Sequence, residues 1–476
     1  MTTLRLDGWE RSPRLGVVVP RDGAPGWMDA ALWCTLLEAW GFPFDRLAPD
    51  EVRDAGSSTL VLPGPAIDDV LVQDARSTRA GVIVAGDAGE AGARLDAVRF
   101  EPSAADLEQA GTEDVVDAME PALRAAAPYG LIGIWRWPYA RAAALVVDGD
   151  VDHPTGVDPE CSRYVSPAIA TTRDAGYDAY GIFAAAANVE AEPDSFPTEV
   201  EYYNHSFTHP YSHWNPDTWE SLDAEAMAAE IVRAAETFRT RLGADDRRIF
   251  RLPHFQLEAW DRTADVLERL GYRADSSIGA NVSVTGGLPF QPSREPWSGR
   301  PEDAAYARSH PDPARRRPFL QVPISTDPTD LTFRHGCCSY NTLGEGVRAR
   351  TADPSDYAAV LDEVLAREVT RGGLAHLFID PPDAGYGRLP GDRRDYAAVV
   401  GRFLADAARR SDLAIMTTAG LVDWWFERAE AVTRLTWRSD GHALEVSLDA
   451  APSGTTLAIL SPDGRWGLHQ IEEGRR

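Results

Sequence analysis

Residues 145–153, with the sequence LVVDGDVDH, combine an apolar strand with a cluster of acids. The apolar half predicts a buried strand, and Asp148, Asp150 and Asp152 follow it closely. Carboxylates crowded at a strand end repel one another, and a bound cation relieves that repulsion. Because Asp148 and Asp150 are two residues apart on an extended segment, we expect them to face the same side. A helix cap or a solvated turn is the alternative that this stretch alone leaves open.

Two further segments bring polar side chains to strand ends. His205 and His209 lie in NHSFTHPY (204–211), four residues apart, which on one helical turn places both imidazoles on one face and suits a single metal ion. In FRLPHF (250–255), a predicted strand ends near Arg251, so its guanidinium is expected at the same end of the sheet as the two histidines. Unrelated histidines and a structural ion pair are the alternatives when each segment is considered alone.

The surrounding chain alternates between strands and helices, which predicts a parallel sheet with helical crossovers. Strands are predicted near residues 143–148, 178–183, 200–204, 249–252, 272–275, 319–324, 374–379 and 413–417. The clearest helix spans 222–242, with apolar residues at helical spacing and a glycine at its end. About seven or eight such units fit a TIM-like β/α barrel, distorted or incomplete, whose active site lies at the carboxyl ends of the strands.

Four segments are predicted along the chain. They are a small flavodoxin-like parallel-sheet domain over 1–97, a linker segment over 98–140, the barrel over 141–430, and a short β-rich C-terminal extension over 431–476. The first domain is inferred from strands at 14–19, 59–64 and 80–87 around a helix at 27–40. The last is inferred from an alternating hairpin with Asp-Gly at its turn.

Composition limits the classes of function. The chain has 476 residues and a formal charge of 47 − 74 = −27, which opposes binding to DNA or RNA. No apolar run is long enough to span a membrane, and residues 1–10 lack the profile of a secretory signal, so we expect a cytoplasmic protein. The few lysines among many Ala, Arg and Asp indicate a GC-rich bacterial source. The four cysteines form no disulfide framework, and the sequence leaves open whether the chain is a homo-oligomer.

The order of these motifs resembles that of the polysaccharide deacetylase superfamily, also called the NodB-homology family or carbohydrate esterase family 4. The resemblance covers about residues 141–425 and is most specific from NHSFTHPY to FRLPHF, where the family has H-[ST]-x-x-H and then Arg-x-Pro. It implies the Asp-x-Asp variant of the first motif, with Asp148 as catalytic base and Asp150 as metal ligand. With His205 and His209, Asp150 would hold one divalent ion, for which zinc is expected.

The resemblance implies further roles in the site. Arg251 would fix the base, and the backbone N–H of His254 would bind the oxyanion. Asp275 matches the motif that orients the catalytic acid, although the usual Asp-Trp does not follow it. Trp214 is a candidate platform for stacking a sugar.

The catalytic acid is where the chain departs from the family pattern. The family ends a strand with histidine, whereas GLAHLFIDP (373–381) has Asp380 at that place and His376 four residues earlier. Either Asp380 substitutes or His376 is the acid. A third alternative is that His153, His254 or His335 serves as the catalytic acid. For His376, a buried structural role is also open.

The function implied is that of a hydrolase acting on carbon–nitrogen, non-peptide bonds. Such a deacetylase would remove an N-acyl or O-acyl group from a sugar or a sugar-containing small molecule. A catalytically impaired barrel that binds carbohydrate is the alternative. Residues 1–97 resemble a class I glutamine amidotransferase domain in topology, but the turn at 84–87 carries no cysteine nucleophile. We therefore expect a structural or regulatory role for them.

Overall fold

The computed structural model describes most of the chain. The described residues are 2–9, 12–21, 24–100, 118–152, 162–210, 218–253, 260–277, 297–299, 309–311, 317–325, 354–381 and 394–471. They divide into two compact units, one made of 1–141, 311–316 and 423–476, and the other of 142–310 and 317–422.

The strands and helices alternate through much of the chain. In chain order the strands are β1 (Thr2–Asp7), β2 (Leu15–Val18), β3 (Phe44–Leu47), β4 (Thr59–Pro63), β5 (Gly81–Ala85), β6 (Val98–Phe100), β7 (Leu131–Ile134), β8 (Ala143–Val151), β9 (Tyr180–Ala184), β10 (Glu201–Asn204), β11 (Ile249–Phe250), β12 (Ala274–Asp275), β13 (Trp297–Gly299), β14 (Ser309–Pro311), β15 (Leu320–Gln321), β16 (Leu374–Phe378), β17 (Leu413–Ile415), β18 (Leu435–Ser439), β19 (Ala443–Leu448), β20 (Thr456–Leu460) and β21 (Trp466–Gln470). The helices are α1 (Trp27–Trp40), α2 (Asp69–Thr78), α3 (Gly89–Gly92), α4 (118–126), α5 (Val165–Asp174), α6 (Ala186–Ala191), α7 (Ala224–Thr237), α8 (Trp260–Arg269), α9 (Pro354–Arg371), α10 (Arg394–Ala408) and α11 (Thr418–Arg434).

The unit containing residues 142–310 and 317–422 is built on an eight-stranded sheet. Its order is β15-β12-β11-β10-β9-β8-β16, with β17 also paired to β8. The pairings among these strands are parallel. The chain just after β15 contacts β16, since the N–H of Ser325 donates to the carbonyl oxygen of His376 at 2.9 Å. The predicted parallel β/α architecture is therefore confirmed, and all its strands run toward one rim.

Helices cover this sheet through apolar faces at helical spacing. Helix α9 buries Tyr357, Leu361, Val364 and Leu365, which lie at positions i, i+4, i+7 and i+8. That spacing gives one continuous apolar stripe on a helix. The stripe packs in the same core as Leu145 and Val147 of β8.

The unit containing residues 1–141 and 423–476 has a five-stranded parallel sheet in the order β3-β2-β4-β5-β6. Counted from β2, this is the order 2-1-3-4-5 that flavodoxin-like sheets share. The predicted Asp-Gly hairpin is present as β18 and β19, and β19 also pairs antiparallel with β1. Strand β7, from the predicted linker segment, pairs antiparallel with β20. The C-terminal strands thus share sheets with segments from the start of the chain.

Within the described residues, no helix combines the length and the apolarity needed to cross a membrane.

Candidate metal centre

A buried arginine joins two acids, Asp148 and Asp150, near the carboxyl end of β8. Arg251 has no solvent exposure, and its Nη1 donates to Asp150 Oδ1 at 2.7 Å while its Nη2 donates to Asp148 Oδ1 at 2.9 Å. Its Nε donates to the carbonyl oxygen of Ser276 at 2.8 Å, and the guanidinium lies 3.8 Å from the ring centroid of Phe183. The guanidinium is therefore fixed in one orientation. Asp148 and Asp150 face the same side of the strand, as their spacing predicts.

Asp148 is enclosed by partners. Its second oxygen, Oδ2, accepts from Thr418 Oγ1 at 2.8 Å and lies 2.7 Å from Nε2 of His376. Burial opposes ionisation, but the charges of Arg251 and His376 outweigh it and hold the pKa of Asp148 well below its usual range. A fully buried carboxylate of low pKa with both oxygens engaged is a weak proton acceptor. This environment favours a positioning role for Asp148 over the predicted role of base.

The two histidines of the second motif converge without a helix. Residues 205–210 lie outside helices and strands, so the predicted helical turn is not formed. The backbone reverses instead, with φ of 66° at Ser206 and 51° at His209. The ring centroids of His205 and His209 lie 4.7 Å apart. The two imidazoles are therefore brought together by this turn and not by the helical turn that their spacing predicts.

Asp152 is the acid that joins the histidines. Its Oδ1 lies 3.4 Å from Nε2 of His205 and 3.3 Å from Nε2 of His209, and the three ligand atoms all lie within 4.8 Å of one another. Asp150, the predicted ligand, is drawn to Arg251 by one oxygen, while its Oδ2 lies 3.5 Å from Nε2 of His205. The structure therefore groups Asp152 with the histidines and places Asp150 beside that group.

The surroundings of His205 fit a metal ligand. Its Nδ1 lies 2.9 Å from the carbonyl oxygen of Arg251, which requires the proton on Nδ1 and leaves the lone pair on Nε2. Burial opposes protonation of His205, but the nearby carboxylates of Asp150 and Asp152 raise its pKa above the ordinary value. A cation here would take the place of that proton. One carboxylate and two imidazoles are the donor set of many catalytic zinc sites.

The pKa of Asp150 is raised above its ordinary value by the balance of opposing effects. Burial raises its pKa, Arg251 and His205 oppose that rise, and the neighbouring Asp152 adds to it. The backbone N–H of Asp150 donates to Asp380 Oδ1 at 2.9 Å. Gly149 allows this approach, because a Cβ there would lie 2.2 Å from the carbonyl oxygen of Ile379.

The two candidates for the catalytic acid occupy different environments. His376 is fully buried, with Nδ1 3.0 Å from the carbonyl oxygen of Pro323 and Nε2 on Asp148. Both ring nitrogens therefore have protein partners, as in the structural alternative. Asp380 lies against the backbone of Asp150, and its carboxylate accepts the N–H of that residue.

The remaining predicted residues are placed as follows. Asp275 is buried, and its carboxylate accepts the hydroxyl of Ser277 at 2.7 Å and the N–H of Ser277 at 3.0 Å. Burial raises the pKa of Asp275 to about 7. Asp275 therefore stabilises the turn after β12, and these hydrogen bonds do not connect it to His376 or Asp380. His254, Trp214, His153 and His335 lie outside the described residues.

The sequence-based assignment gave no individual role to Asp152 or to Thr418. The signal for Asp152 was present, because the period of two that links Asp148 to Asp150 extends to it. Thr418 comes about 270 residues after Asp148, and no local pattern marks it as a partner of that acid.

Comparisons with known proteins give structural likeness alone. No family model and no curated protein matches the chain. Among solved structures, it is similar to one described as a putative polysaccharide deacetylase from Mycobacterium smegmatis, with 15% identity and a TM-score of 0.43 over 61% of this chain and 92% of that one. It is also similar to a 4-alpha-glucanotransferase from Thermococcus litoralis, with 10% identity and a TM-score of 0.38 over 59% of this chain and 40% of that one.

A third similar structure is a family 4 acetyl xylan esterase from Clostridium thermocellum, in complex with a cobalt ion. It shares 10% identity with this chain at a TM-score of 0.28, over 59% of this chain and 91% of that one. Likenesses at these scores do not assign a function to this chain.

Proposed function

We propose that this protein is a metal-dependent deacetylase that hydrolyses an N-acyl or O-acyl group, with a sugar or a sugar-containing small molecule as substrate. The observation that carries the proposal is the convergence of Asp152, His205 and His209 beside a carboxylate that a buried arginine holds. The motif resemblance extends it to acyl groups on sugars.

Asp152, His205 and His209 are the proposed ligands of one divalent ion, with zinc as the expected metal. Three protein donors leave coordination positions open, as catalytic sites require. A bound ion would supply Lewis acidity for an acyl carbonyl and would lower the pKa of water. This ligand set has Asp152 in place of Asp150, the ligand expected from the sequence, because Arg251 donates a hydrogen bond to one oxygen of Asp150.

Asp150 is the proposed general base. Its Oδ2 lies 3.5 Å from Nε2 of His205, so it faces the ligand atoms, while Arg251 holds its other oxygen. Burial raises its pKa, which moves its proton affinity toward the value that suits a base near neutral pH. Arg251 keeps the carboxylate oriented and limits that rise.

The carboxyl group of Asp150 is also the proposed proton donor to the leaving group. After Asp150 accepts a proton from water, it is a carboxylic acid next to the reacting acyl group. The carboxylate of Asp380 accepts the N–H of Asp150, and the two ring nitrogens of His376 contact Asp148 and the carbonyl oxygen of Pro323. We therefore propose that Asp380 positions the backbone of Asp150.

The test is an activity screen on the full chain. N-acetyl sugars, acetylated xylan oligomers and small amides serve as substrates, and chelator treatment followed by Zn²⁺ or Co²⁺ serves as the metal control. Asp150→Asn should retain metal and lose about 10²–10⁴-fold in kcat, the usual contribution of a general base. Full activity of the chelated protein, or of Asp150→Asn, would contradict the proposal.

A further inference from the structure

We infer that Glu230, on helix α7, is a positioning residue for the proposed metal centre. Its carboxylate holds the loop that carries His205 and His209 in the shape that brings the two imidazoles together. The inference rests on the proposed function, because it concerns the same ligand set, and it assigns a role to a residue that no sequence motif indicated.

The loop needs external support because its backbone is unfavourable. Ser206 and His209 both have positive φ, at 66° and 51°. Residues with a Cβ disfavour this region, since the Cβ approaches the backbone carbonyl oxygen. Such conformations persist where surrounding contacts over-determine them.

Local side chains satisfy part of the loop backbone. The N–H of Ser206 donates to Asn204 Oδ1 at 3.0 Å, and the N–H of His209 donates to Ser206 Oγ at 3.0 Å. Asn204 is itself fixed, because its Nδ2 donates to Tyr272 Oη at 2.7 Å and to Asp246 Oδ2 at 3.1 Å. These contacts set the two ends of the turn.

Glu230 holds the middle of the turn. Its Oε2 accepts the N–H of Phe207 at 3.0 Å and the N–H of Thr208 at 2.7 Å, and its Oε1 accepts the hydroxyl of Thr208 at 3.0 Å. One carboxylate thus takes three hydrogen bonds from the two residues between Ser206 and His209.

The opposite side of the loop is held by helix α6. The N–H groups of Ala186 and Ala187 donate to the carbonyl oxygens of Ser206 and Phe207, each at 3.0 Å. These are first-turn N–H groups that have no acceptor within their own helix. The turn is therefore fixed between the start of α6 and the side chain of Glu230, and releasing one side frees the histidines to separate.

The experiment compares length with charge at position 230 through the Kd for Zn²⁺. Glu230→Gln keeps the length and one strong acceptor, so its Kd should stay close to the wild-type value. Glu230→Asp keeps the charge but is too short, and Glu230→Ala removes the group. Both should weaken Zn²⁺ binding about 10- to 100-fold, as loss of a residue that orients ligands typically does. Co²⁺ absorption spectra of the same variants should show altered ligand geometry for Asp and Ala alone.

Glu236→Ala is the matched control, because it removes an exposed carboxylate from the same helix and should leave the Kd unchanged. Wild-type Kd and Co²⁺ spectra for both Glu230→Asp and Glu230→Ala would overturn the inference. So would a Kd that follows charge alone, with Asp like wild type and Gln like Ala. A wild-type protein that binds no Zn²⁺ would instead refute the proposed metal site itself. If Glu230→Ala does not fold, Glu230→Asp decides.

Discussion

Replacement of Asp148 by asparagine separates the structural account of this site from the sequence-based one. The structure makes Asp148 a buried partner of Arg251 and His376, whereas the motif match makes it the catalytic base. Asparagine keeps the shape and removes the negative charge. The two accounts therefore differ in whether the loss falls on stability or on the chemical step.

The expected loss of stability follows from the burial of all three groups. Asp148, Arg251 and His376 have no solvent exposure. Removing one partner of a buried ion pair typically costs about 3–5 kcal/mol, because the remaining charge loses its compensation. Arg251 retains Asp150, so we expect a loss of unfolding free energy toward the lower end of that range.

The pH dependence of that loss has a definite sign. The folded-state pKa of Asp148 is depressed, so its stabilisation is fully present above the unfolded-state value near 3.8 and is lost as pH falls below it. Wild type and Asp148→Asn should therefore differ in urea denaturation at pH 7, and the difference should shrink below about pH 4.

Metal content and kcat are measured on the same Asp148→Asn sample. We expect bound metal, reduced stability, and a fall in kcat smaller than the 10²–10⁴-fold loss typical of a missing general base. A variant with wild-type stability, full metal and no activity would refute this reasoning. It would restore Asp148 as the base.

Three further predictions concern other groups. Asp380→Asn should lower kcat less than tenfold, because the amide oxygen can still accept the N–H of Asp150. A loss of about 10²-fold or more, which is typical of a missing general acid, would make Asp380 the acid. The pKa of Asp275 is raised to about 7, so its protonated form stabilises the fold at low pH and this contribution is lost as pH rises toward 7. Urea titrations of Asp275→Asn should show a flatter pH dependence between about pH 4 and 7, and an unchanged slope would contradict the assignment. Residues 1–97 should contribute no glutaminase activity, and glutamine hydrolysis that survives removal of the metal would contradict that.

The sequence predicted the parallel sheet because its signals are local. Apolar runs at 143–148 and 374–379 correspond to β8 and β16, which pair in parallel. The pairing of β1 with β19 joins residues more than 400 positions apart, and nothing near either strand encodes it. Long-range pairing depends on the packing of the whole unit, so the predicted linker and C-terminal extension could not be assigned to their sheets from pattern alone.

Spacing along one strand is also a local signal, and it predicted where two of the acids lie. Spacing placed Asp148 and Asp150 on one face, and both contact Arg251. In the proposed function, the choice of base and of metal ligand depends on which oxygens Arg251 occupies. Those contacts depend on how β8 and β11 are placed in three dimensions. The sequence offered three acids at a period of two and no local feature to choose among them.

The zinc content of Asp150→Asn and Asp152→Asn, two variants altered two residues apart, tests directly whether Asp152 is the carboxylate ligand of the metal. We expect one Zn²⁺ per chain in the wild-type protein and in Asp150→Asn, and loss of Zn²⁺ from Asp152→Asn. Retention of zinc by Asp152→Asn together with its loss from Asp150→Asn would contradict the account and make Asp150 the ligand.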